Sequence, residues 1–156
     1  MTILRTTARD LIAAVLRDHS AILRDIRVDD LADEDDVVLR RVGYRLVQSG
    51  DRAAFETGRR LLDLAARGRL YPPPHRRWWT GPDKRALGLE ARLDPYSVEL
   101  VWRDSKPRWE VGGRLWLHEQ DRDWRWWPLL HVDANAEYAR TKTFWVALGR
   151  RMQHAV

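Results

Sequence analysis

The residues best equipped for chemistry in this chain are nine tryptophans, five histidines and 25 arginines against three lysines. They are not spread evenly. Every tryptophan lies at or after Trp78, and the densest run is "RDWRWWPLLH", Arg122 to His131. Indole rings stack on nucleobases, each stack contributing about 1–3 kcal/mol. Arginine meets phosphate or carboxylate with a planar, bidentate fork and also stacks on rings. This pairing of residue types points to single-stranded nucleic acid. A GC-rich genome would raise Arg over Lys without any function behind it.

Period-two alternation divides these residues between two sheet faces. One face carries Val98, Leu100, Trp102, Trp109, Val111, Leu115, Leu117, Trp124, Trp126 and Leu130, and reads as core. The other interleaves bases with rings: Arg103, Arg114, Trp116, His118, Arg125, Trp127 and His131. The competing reading is a half-buried face whose Arg stems lie along the rings under another element. A second cluster, "YPPPHRRWWTG", places Arg76, Arg77, Trp78 and Trp79 after three prolines. It reads as a basic aromatic arm, or as a linker pinned by its tryptophans.

Other chemistries find less support. With no cysteine, disulfides, thiolate catalysis and Cys-based zinc sites are excluded. Were β-strands to turn at "EQDRD", His118 and His131 would lie roughly 20 Å apart, too far to share a metal. The acid run Asp29–Asp36 lacks the D-x-D-x-D-G order of a calcium loop. It reads as a solvated linker with helix N-terminal charge. "VGGRL" has no phosphate-loop context, and no G-x-S-x-G elbow occurs. No catalytic residue, metal or cofactor is expected.

The elements that must position these residues are legible in outline. "TARD", Thr7–Asp10, fits a capping box. Ala8, Leu11, Ile12, Val15, Leu16, Ile22, Leu23 and Ile26 follow with helical spacing. Acids at 33–36 open a second helix, and "QSGD" ends it with Asp51 capping a third that stops near Gly68. Pro72–Pro74 break the pattern. Strands follow at "SVELVWR", "RWEV", "RLWLHE" and "WRWWPLLHV". "DANAEYARTKTFWVALGRRMQH" reads as a C-terminal helix capped by Asp133 or Asn135.

The expectation is an α+β fold in one compact domain of 156 residues. It has an N-terminal layer of about three helices (1–70), a Pro/Trp connector (71–96), a short antiparallel meander of three to four strands (97–132) and a C-terminal helix (133–156). The net charge is +5, of which residues 71–156 carry +4 (15 bases against 11 acids). That permits an acidic partner without demanding one. No apolar run is long enough to span a bilayer, and the first ten residues lack a signal-peptide core, so a cytoplasmic location is expected. The leading functional expectation is a small non-enzymatic protein that binds DNA or RNA. A protein-interaction module, such as an inhibitor, immunity-type or adaptor protein, comes second, because Trp and Arg anchor interfaces. An enzyme of unspecified type comes third.

Overall fold

Caps and helical spacing build the first of two compact units, which comprises residues 1–71, 100–108 and 155–156. The computed structural model of the chain describes residues 5–31, 33–69, 87–133, 135 and 137–152. Strand β1 (Arg5–Thr7) leads into helix α1 (Ala8–Asp18). The capping box forms: Thr7 Oγ1 accepts the Asp10 N–H at 3.0 Å, and the Asp10 carboxylate accepts the Thr7 N–H at 3.2 Å. Ile12 and Val15 supply its buried stripe. The helix stops at Asp18 rather than running on to Ile26, and buried Leu23 is delivered by a turn instead.

Helices α2 (Asp35–Val47) and α3 (Arg52–Gly68) form the expected hairpin. Asp51 caps α3 by accepting the Ala54 N–H at 2.9 Å. The two helices touch backbone to backbone. A Cβ on Gly58 would lie 2.6 Å from the carbonyl oxygen of Gly43. The acids that open α2 are not solvated, contrary to expectation: Asp35 and Asp36 are 2% and 1% exposed. Asp35 accepts the Leu100 N–H at 2.9 Å and the Arg9 Nε at 3.0 Å.

The second unit comprises residues 72–99 and 109–154. Its strands are β2 (Ala91–Arg103), β3 (Lys106–Leu117), β4 (Gln120–Val132), β5 (Tyr138–Thr141) and β6 (Trp145–Leu148). Residues 100–108, the hairpin end of β2 and β3, belong to the first unit, where β1 pairs with β2. The five strands follow one another in sheet order, and β6 also pairs with β2, which closes a barrel. An up-and-down meander of five strands ends in the direction in which it began. The closing pair must therefore be parallel, and it is, with Arg92 opposite Ala147 and Leu93 opposite Leu148. Hydrogen bonds from Gly149 N to Leu93 O (2.8 Å), Tyr96 N to Arg150 O (2.9 Å) and Met152 N to Tyr96 O (2.7 Å) extend the seam.

The expected fold is corrected in its second half. In place of a short meander with a C-terminal helix over 133–156 there is a closed five-stranded barrel, and β1 adds a sixth strand to the sheet. Part of the expected connector 71–96 is strand, because β2 begins at Ala91. Asp133 does accept backbone N–H groups, as a helix cap would, but from Asn135, Glu137 and Tyr138 in a tight loop. Thr141 Oγ1 likewise accepts the N–H groups of Thr143 and Phe144 and turns β5 into β6. The physical reason is closure. β6 satisfies strand edges on both of its sides, which no isolated helix at that position would do.

Candidate nucleic-acid interface

The hairpin of β3 and β4 carries most of the expected site, and its turn decides which residues share a face. Two residues, His118 and Glu119, link the strands, with φ of 50° and 64°. Positive φ at both central positions is the signature of a type I′ turn, whose twist matches that of the strands. The pairing starts at Leu117 opposite Gln120, so of the "EQDRD" turn expected from sequence only Glu119 lies in the turn and the rest is already strand. Farther along, Val111 lies opposite Trp127, Gly112 opposite Trp126 and Arg114 opposite Trp124.

This register exchanges the faces of β4. Trp127 shares a face with fully buried Val111, and its ring meets Phe144 edge-on at 5.3 Å. Trp124 and Trp126, expected in the core, share the opposite face with Gly112 and Arg114. Leu130, also expected in the core, is 39% exposed. Two irregularities add to the change. The register shifts between Arg114 and Trp116, and again between Leu129 and His131. A bulge changes the phase of every side chain beyond it, so Leu129 and Val132 end on the same face, opposite Thr141 and Ala139.

Trp124 and Trp126 form a tilted pair with ring centroids 6.0 Å apart. Trp126 lies across bare backbone: a Cβ on Gly112 would fall 2.4 Å from its fused ring. Trp124 is 38% exposed. Arg114, Arg122 and Arg125 are exposed on the same hairpin. Arg114 Nη1 is 3.2 Å from the Asp121 carboxylate, and Arg122 Nη2 donates to Gln120 at 3.3 Å.

The other expected site residues are dispersed. Trp116 is half-buried; its Nε1 donates to Asp94 O at 2.9 Å and the Arg92 guanidinium sits 5.2 Å from its ring centre. His118 occupies the turn, its Nε2 3.2 Å from an exposed Glu90 carboxylate. His131 is half-buried opposite Arg140. Arg103 lies in the first unit, opposite Arg5. Arg76, Arg77, Trp78 and Trp79 fall outside the described residues. The candidate surface therefore takes in Trp124 and Trp126, which the sequence reading placed in the core, and Arg122, which it did not single out. The signal that would have found them is a two-residue turn at 118–119, and "HE" lacks the Asn-Gly or Asp-Gly chemistry that announces one.

Among the described residues no three His, Asp or Glu side chains converge to hold a metal ion. No helix among them is long and apolar enough to cross a membrane. Comparison with protein-family models, with curated proteins and with solved structures gives no match.

Proposed function

We propose that this protein is a non-enzymatic binder of single-stranded nucleic acid, DNA or RNA, and that the strand lies along the Trp124–Trp126 face of the β3–β4 hairpin. The supporting observation is the Trp124–Trp126 pair, its ring centroids 6.0 Å apart and Trp124 exposed, on the face of the hairpin that Arg114 shares, with Arg122 exposed on the same strand. Bases stack on the rings while the guanidinium groups meet phosphate. One observation favours the second reading, a protein partner. Asp121 and Asp123 alternate with the arginines on this hairpin, and Asp121 already engages Arg114. That lowers the positive potential a phosphate chain would meet and suits a partner bearing both charges.

The test is fluorescence anisotropy of the full chain with labelled oligo-dT and oligo-U. Binding should weaken with salt, log K against log[salt] falling with a slope of about −1.4 for two neutralised phosphates. Replacing Trp124 with alanine should weaken it about tenfold or more. Absence of binding to either oligonucleotide at low salt, or binding indifferent to Trp124→Ala and Trp126→Ala together, would overturn the proposal. A single stoichiometric protein captured through the same two tryptophans would then support the second reading.

A further inference from the structure

Trp124 and Trp126 are two residues apart on one face of β4, so their Cβ atoms stand roughly 7 Å apart. Two equivalent platforms for successive bases would turn two open, near-parallel ring faces to solvent. The indoles do not stand that way. Their planes tilt by 59° at a centroid distance of 6.0 Å, which turns an edge of one ring toward the face of the other. Aromatic quadrupoles favour such a contact over a parallel sandwich.

Trp126 is held a second time, by backbone. A Cβ on Gly112 would fall 2.4 Å from Cδ2 and Cε3 of its ring and 2.7 Å from Cε2. Cδ2 and Cε2 are the fusion carbons, which carry no hydrogen and are approached this closely only through the plane of the indole. Trp126 therefore rests a face on the Gly112 backbone, which lacks the side chain that would keep it off. Trp126 is half-buried, whereas Trp124 is exposed. The cations around the rings are equally limited. Arg114 shares their face but is engaged by Asp121 at 3.2 Å, and Arg125, opposite Gly113, lies on the other face.

On the reading that nucleic acid lies along this face, we infer that the site takes one unstacked base at a time. The base stacks on Trp124. Trp126 is a positioning residue: its ring, seated on Gly112, fixes the Trp124 ring through their tilted contact. The ligand class is then a nucleotide already out of any stack, at a strand end, in a loop or in a flexible single strand, rather than a run of bases held in register. Such a base costs least to present, because a paired one must first be unpaired and unstacked.

The experiment is a low-salt competition against labelled oligo-dT on the full chain. The competitors are strands of equal length and equal phosphate number: one wholly abasic, one with a single central thymine, one with two adjacent thymines. The single thymine should bind about fivefold or more tighter than the abasic strand, and the second should add no more than about twofold, the statistical gain of two places for one site. Trp124→Ala, at an exposed position, should bring the single-thymine strand down to the abasic level. Trp126→Ala should shrink the thymine gain, and Trp126→Phe, which keeps a ring over Gly112, should retain it. A second thymine worth a further factor of about five or more would show that both rings take bases, overturning the inference and leaving the proposed function intact. A thymine gain that survives Trp124→Ala or Trp126→Ala in full, or equal binding of the abasic and single-thymine strands, would overturn it as well. Absence of any oligo-dT binding would overturn the proposed function and the inference together.

Discussion

Glu119 stands at φ 64° beside His118 at 50°, in the two-residue turn that sets the face of every side chain on β4. A non-glycine residue in left-handed backbone carries a steric cost of about 1–2 kcal/mol. Glu119→Gly relieves part of it, offset by the greater freedom of glycine in the unfolded chain. The expected net gain is about 0.5–1 kcal/mol in chemical denaturation. Gly112 makes the opposite case. A methyl there collides with the Trp126 ring at 2.4 Å. Gly112→Ala should cost about 1–3 kcal/mol and displace Trp126, and on the proposed function it should weaken oligonucleotide binding beyond the loss of stability. A variant that binds normally would show that the ring's position is immaterial.

Asp35 ties three elements of the first unit together. Its carboxylate takes the Leu100 N–H of β2 and the Nε of Arg9 on α1, and Arg9 in turn donates to the carbonyls of Leu31 and Asp33. Removing one partner of a buried pair leaves the other uncompensated, so Asp35→Ala should cost about 3 kcal/mol. Asp33→Ala, which breaks only an exposed pair with Arg41, should change stability by less than about 1 kcal/mol. In the barrel, Asp94 binds the seam beside β6. Burial alone would raise its pKa, but the Arg150 N–H and guanidinium, with Arg92, hold the carboxyl below its ordinary 3.8. A group depressed on folding stabilises above its unfolded pKa, and that contribution is lost as pH falls through the folded value. The stability difference between the wild type and Asp94→Asn should therefore narrow as pH drops below 3.8. A difference constant across that range in urea titrations would show that the pair contributes nothing. Gly149 belongs to this arrangement, since a Cβ there would lie 2.5 Å from the Asp94 carboxyl carbon.

Barrel closure belongs to the whole molecule. Val146→Pro would remove an N–H within the β5–β6 ladder, where Val146 lies opposite Ala139. It should unfold the barrel, a loss visible in near-ultraviolet circular dichroism. The helical half of the chain was legible from sequence because its signals are local: a capping box at Thr7–Asp10, Asp51 as the cap of α3, and apolar spacing that a neighbouring turn is enough to satisfy. The candidate surface was legible in composition, since Arg and Trp do crowd onto β3 and β4, but not in membership. Parity along a strand is local, whereas the phase between two strands depends on a turn and on bulges that "HEQDRD" does not announce. That difference put Trp124 and Trp126 on the face of Gly112 and Arg114, and Trp127 on the face of Val111. The last segment shows the same limit. Asp133 and Thr141 have cap chemistry that serves a helix or a loop equally well. Only the two open strand edges of β5 and β2 select a strand for Trp145–Leu148, because the hydrogen bonds that decide it come from residues some 50 positions away, as between Leu93 and Leu148.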